Sequence, residues 1–169
     1  MLKEPWMVSL KTFRVMVALG MVCALFSGCG DNLKTFEGDL RIESVSQLEQ
    51  YRDYERIEGR LTITDPAVLG VSWPGLVEIT GDLWIWDNAR LRGFNLSGVE
   101  RVGGSILVRN NVELVGFDMS SLESVGGTFS FAYNSRLAVC QIQSVIVHCD
   151  IEGDVSIYDG NDGLGNCIQ

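Results

Sequence analysis

The stretch VEITGDLWIWDNARLRGF, residues 77–94, places apolar Ile79, Leu83 and Ile85 around Gly81 and follows them with Asn88 and Leu91. Alternation with period two about a glycine is the pattern of short, half-buried strands. The same arrangement returns in VERVGGSILVRNNVELVGF (99–117) and LESVGGTFSFAYNSRLAVC (122–140). Working outward, it extends more loosely back through IEGRLTITD (57–65) and FEGDLRIES (36–44) and forward to IEGDVSIYDGNDGLGNC (151–167). Gly38, Gly59, Gly81, Gly104, Gly127 and Gly153 then stand 21, 22, 23, 23 and 26 residues apart.

The flanking columns agree. Two places before each glycine stand Phe36, Ile57, Ile79, Val102, Val125 and Ile151; two after stand Leu40, Leu61, Leu83, Ile106, Phe129 and Val155; four after stand Ile42, Ile63, Ile85, Val108, Phe131 and Ile157. Ten after come Leu48, Leu69, Leu91, Leu114 and Leu137, with Leu164 one place later in the last repeat. A repeat of this length cannot bury its apolar side chains alone, so the repeats must stack and share one core. The expectation is an all-β chain, a parallel β-helix or solenoid of about six short coils. Asn88, Asn111 and Asn134, seven after the glycine, and Asn161, at eight, form a further column. Asparagine bonds the backbone of its own turn and tolerates left-handed conformations, so this column reads as a structural ladder. Val45 and Pro66 replace it in the first two coils, where the turns should differ.

On these residues the repeat resembles the receptor L-domain, the leucine-rich-like, right-handed β-helix that forms ligand-binding lobes in insulin-receptor and epidermal-growth-factor-receptor ectodomains. It is similar as well to bacterial surface lipoproteins built from the same unit. The resemblance implies a binding role, with no shared catalytic residues and no common ligand.

The first 28 residues read as a removable leader: basic Lys11 and Arg14, an apolar run from Val15 to Phe26, and small Ser27 and Gly28 before Cys29. The run is too short to span a bilayer as a helix. Leu25-Phe26-Ser27-Gly28-Cys29 resembles a bacterial lipobox, which makes Cys29 the expected lipidation site and residues 29–35 a short tether before the 36–169 solenoid. The alternative is an ordinary cleaved signal in which Cys29 is incidental, and Met7 is a second possible start. With several acyl chains the protein would be held on a membrane of the bacterial envelope, at the outer membrane or the cell surface.

The chain has 13 basic and 22 acidic residues. The leader holds three of the former and one of the latter, so the mature part carries net −11. Nucleic acid, which needs clustered Lys and Arg, is excluded as a partner.

Outside the cytoplasm, cysteines pair. Cys140 and Cys167 each follow the Leu column by three, at the same place in successive coils, and are the favoured disulfide. Cys140 with Cys149 is the alternative, and a metal site from Cys149, His148 and another Cys is a remote third without standard ligand spacing. No cofactor motif is present. Asp159 to Gly163, DGNDG, offers calcium-type ligands but lacks a later bidentate Glu and reads as a turn. Asn95-Leu96-Ser97 matches a glycosylation acceptor, which means little behind a lipoprotein leader.

Alternation turns Arg41, Thr62, Trp84, Leu107, Ser130 and Ser156 outward, and after them Glu43, Thr64, Trp86, Arg109, Ala132 and Tyr158. Trp84 and Trp86, with Leu107 and Arg109 beside them on the next coil, form the candidate binding patch, the Arg being able to stack on the rings. The competing expectation is that residues 67–75, with Trp73, fold over these rings as a second core. No outward column pairs carboxylates with a base, and His148 has no nucleophile constellation, so catalysis is not expected. Two readings follow: a lipid-anchored surface module that recognises a protein or glycan, or an envelope lipoprotein that acts as spacer or shield.

Overall fold

A computed structural model of the chain describes residues 32–158, 160, 161 and 163. The leader, Cys29, Leu164 and Cys167 lie outside the described residues, as do Asp159 and Asp162 of the DGNDG segment. The chain divides into two units, Met1–Asn32 and Leu33–Gln169, and every element below belongs to the second.

Each aligned glycine stands between two strands. β1 (Thr35–Glu37) and β2 (Leu40–Ile42) flank Gly38 and lead into helix α1 (Val45–Tyr51). β3 (Arg56–Glu58) and β4 (Leu61–Ile63) flank Gly59 and lead to β5 (Gly70–Ser72). β6 (Glu78–Ile79), β7 (Leu83–Trp86) and β8 (Gly93–Asn95) repeat this order, as do β9 (Arg101–Val102), β10 (Ile106–Arg109) and β11 (Gly116–Asp118). β12 (Ser124–Val125) and β13 (Phe129–Ala132) lead into helix α2 (Val139–Ile146), and β14 (Asp150–Ile151) and β15 (Val155–Ile157) flank Gly153.

All pairing among these strands is parallel and joins one repeat to the next. The first sheet runs β1-β3-β6-β9-β12-β14, the second β2-β4-β7-β10-β13-β15, and a three-stranded third runs β5-β8-β11. The register reproduces the sequence columns: Phe36 opposes Ile57, Ile57 opposes Ile79, and the row continues through Val102 and Val125 to Ile151. Leu40, Leu61, Leu83, Ile106, Phe129 and Val155 form one row of the second sheet, and Ile42 to Ile157 form another. From Ile57 to Phe131 the side chains in these rows are buried. This arrangement is compatible with the stacked coils expected from the repeat.

Close approach explains the glycines. A Cβ added at Gly81 would lie 2.7 Å from the backbone carbonyl of Gly59, and one at Gly153 2.6 Å from that of Gly127. From Gly59 to Gly153 no side chain fits between successive repeats at this column, whereas Gly38, in the first repeat, has open space and a φ of 98°.

The asparagine column is buried, at 0% exposure for Asn88, Asn111 and Asn134 and 4% for Asn161. From Asn111 on, each Oδ1 accepts from the backbone N–H and the Nδ2 of the preceding asparagine, as Asn111 does from Asn88 at 3.1 and 2.9 Å. Each Nδ2 also reaches back to a carbonyl of the preceding repeat, Asn88 to Ile63, Asn111 to Ile85 and Asn134 to Val108. The amide polarity is therefore satisfied inside the core. The residue ahead of each asparagine is left-handed: Asp87, Asn110 and Tyr133 at φ 57, 56 and 55°, and Gly160 at 87°.

Four features depart from the sequence expectation. The described chain is not all-β, because α1 and α2 take the place of a third strand in the first and fifth repeats. For α1 the signal was present: Ser44 Oγ accepts from Gln47 N while Gln47 Oε1 accepts from Glu43 N, a capping-box sequence whose return bond falls one residue ahead of the N-cap. The third sheet was not foreseen; its core residues Val71, Phe94 and Phe117 follow Gly70, Gly93 and Gly116. Leu69 is 52% exposed, and Val68, at 3%, fills the core column instead. The second repeat is a residue shorter before this turn, so Asp65 heads the asparagine ladder, its N–H given to Asn88 Oδ1 at 2.6 Å. Trp73 is wholly buried, its indole N–H donated to the Tyr54 carbonyl at 2.9 Å, so it belongs to the core and is not a cover for Trp84 and Trp86.

Candidate functional site

The three sheets present different outer faces. On the first, Arg56, Glu78 and Arg101 stand in register, and Glu78 lies 3.4 Å from Arg56 and 3.9 Å from Arg101. The charges of this partly buried face compensate one another. The third sheet begins its strands with Gly70, Gly93 and Gly116, which have no side chains to offer, while Asn95 and Asp118 cap the turns that follow by accepting from Ser97 N and Ser120 N.

The second sheet carries a pair of aromatic side chains on its outer face, both in β7. In β7, Leu83 and Ile85 point into the core and Trp84 and Trp86 alternate with them, half-buried. Parallel pairing with β10 sets Leu107 beside Trp84 and Arg109 beside Trp86, as the columns predict. The two indoles meet at 4.8 Å between centroids, tilted by 48°. Thr62, in the same row, is only 7% exposed, because a short side chain beside Trp84 retains little open surface.

The arginine roles differ from expectation. Arg60, not Arg109, stacks on Trp84, with its guanidinium carbon 3.9 Å from the ring and its Nε 3.2 Å from Asp82 Oδ2. Arg109 instead lies over the ring of Tyr133 at 5.3 Å. Neither Arg60 nor Tyr133 was singled out in sequence, since both lie off the alternating strand positions; Tyr133 occupies the left-handed turn. The Trp84 Nε1 is shut off from water with no hydrogen-bond partner.

Beyond the tryptophans the same face forms a groove of about 470 Å³ with Leu107, Arg109, Thr128, Ser130, Tyr133 and Tyr158 in its lining. A second hollow, of about 360 Å³, lies between the third sheet and α2, against Phe117, Met119, Gln141 and His148. Nearby, Cys149 is a free thiol, which removes the Cys140–Cys149 pairing. Burial, and then the charge of Asp150, push this thiol above its ordinary range. Cys140 is engaged, but its expected partner Cys167 is not among the described residues. Among the described residues no three His, Cys, Asp or Glu side chains converge on a common point, and no helix is long and apolar enough to cross a membrane.

Comparison with family models and with curated proteins returned no match. The functional reading therefore rests on the geometry.

Proposed function

We propose that the protein is a lipid-anchored, non-catalytic binding module of the cell envelope, recognising a protein or glycan through the outer face of its second sheet around Trp84 and Trp86. The fold that carries this face is a right-handed β-solenoid of six coils, of the receptor L-domain type, tethered through Cys29.

The observation that carries the reading is the tryptophan pair. Two neighbouring outward positions hold the largest side chains available, on a face where the first sheet has charges and the third has glycines. Trp84 also keeps a buried indole N–H unpaired, which costs roughly 1–3 kcal/mol. A residue retained against stability at a surface is one retained for contact. Rigid aromatic side chains beside arginine are the usual anchors of recognition surfaces.

The test is capture from envelope extracts and binding to a glycan panel, comparing the protein with Trp84→Ala/Trp86→Ala. Loss of capture in the double variant, with its thermal transition kept, supports the reading. Equal capture by both, or none by either, leaves the molecule a spacer or shield. Intact-mass analysis of the mature N-terminus tests the anchor: an unmodified Cys29 removes it.

A further inference from the structure

We infer that the groove beside the tryptophan pair binds a carboxylate-bearing sugar residue, with Arg109 taking the carboxylate and Tyr133 and Tyr158 the face of the ring. This rests on the binding role proposed for the same face, and it names the ligand class.

Charge is the first argument. The chain as a whole carries net −9, yet no Asp or Glu stands in the groove lining. Arg41, Arg52, Arg56, Arg60, Arg101 and Arg136 each lie within ion-pair distance of a carboxylate. Among the described residues Arg90, Arg92 and Arg109 have no such partner, and of these three only Arg109 lines the groove, with the Tyr133 ring beneath it. A guanidinium held in place by an aromatic face, with its donors unspent, suits a bidentate carboxylate.

Tyr133 is the second. The left-handed position ahead of the ladder asparagine is filled elsewhere by Asp87, Asn110 and Gly160, residue types that accept positive φ readily. A tyrosine there is strained, and at 52% exposure its ring recovers little by burial. Tyr158, at 58%, lines the same groove. Strain kept at an exposed site points to use.

The third argument separates a sugar from a peptide. β10 is hydrogen-bonded to β7 on one side and β13 on the other, and β13 in turn to β15, so the two strands that line the groove have no free edge to receive an added strand. What the groove offers is tyrosine rings, the hydroxyls of Ser105, Thr128 and Ser130, and one cation. A pyranose matches this set, with an apolar C–H face, a rim of hydroxyls and, in uronic and sialic acids, a carboxylate. About 470 Å³ falls within the range of about 300–1,000 Å³ usual for small-ligand sites.

The experiment uses the full chain against a panel of uronic- and sialic-acid oligosaccharides, each paired with its carboxyl-reduced neutral form, and against acidic peptides. At least one acidic sugar should bind. Carboxyl reduction should weaken it roughly ten- to a hundredfold, the loss of a hydrogen-bonded charge, and Arg109→Gln should weaken it as much. Arg109→Lys should recover part of the affinity. Tyr133→Gly should weaken binding while leaving the melting temperature unchanged or higher, a combination that a purely structural tyrosine would not give. The inference is overturned if neutral and acidic forms bind alike, if Arg109→Gln binds as the parent does, or if only acidic peptides bind. If Trp84→Ala/Trp86→Ala abolishes capture while these arms show no dependence on carboxylate or Arg109, the face still binds and only the sugar assignment falls. If no partner is captured at all, both fall.

Discussion

Asn111 shows what one polar side chain does inside this core. It accepts from the Asn88 backbone N–H and Nδ2 and donates to the Ile85 carbonyl and to Asn134 Oδ1, so its removal takes partners from groups in both neighbouring repeats. A buried group left unsatisfied costs about 1–3 kcal/mol, and water can rescue few of these, because Asn111 is fully enclosed. Asn111→Ala should therefore destabilise the fold by roughly 2–4 kcal/mol in urea unfolding. A loss below about 0.5 kcal/mol would mean that the ladder is not satisfying the backbone as described. The ladder was legible in sequence as a column; its head at Asp65 was not, because a one-residue difference in turn length cannot be seen without the neighbouring coil.

At the scale of the element, strand pairs are kept in register by a glycine that lets neighbouring backbones touch. The comparison of two glycines isolates this. Gly81→Ala would drive a Cβ to 2.7 Å from the Gly59 carbonyl, whereas Gly75 has nothing within 4 Å and no positive φ. Gly81→Ala should cost about 1–3 kcal/mol, the price of overpacking a rigid contact, and Gly75→Ala should be near neutral. Thermal melts of the pair decide it, since equal shifts would show that the column reflects chain flexibility and not close approach. The helices belong at this scale too. α1 has a capping-box sequence that could have been read from Ser44 and Gln47. α2 accounts for the longer spacing before Gly153, but its N-cap, Ala138, offers no side-chain bond, so nothing local announced it. It is placed by tertiary contact: Ile142 is buried, and Gln141 Nε2 bonds the Val115 carbonyl beside the start of β11.

For the whole molecule, stacked repeats share one core, so stability accumulates along the stack and is weakest at its ends. Among the described residues β1, β2, β14 and β15 pair on one side only, and Val155 in β15 is 44% exposed. The proposed Cys140–Cys167 bridge would tie the last repeat to the one before it, closing a 27-residue separation. In the chain-entropy model that contributes about 3–4 kcal/mol. Peptide mapping without reductant should recover the cross-linked pair with Cys149 free, and reduction should lower the melting temperature. A Cys149-containing cross-link would overturn the assignment.

The sequence by itself determined the repeat, its register and its core, because parallel in-register stacking turns each column of like residues into a row of contacts. Phe36 through Ile151 and Ile42 through Ile157 pair as the alignment sets them. It also brought Trp84, Trp86, Leu107 and Arg109 together. Only the tertiary structure decided that Arg60 covers Trp84, that Arg109 turns to Tyr133, and that Trp73 is spent in the core. Those outcomes depend on side-chain directions at turns and between coils. Alternation governs strands and says nothing of a left-handed residue such as Tyr133, from which the groove takes its shape.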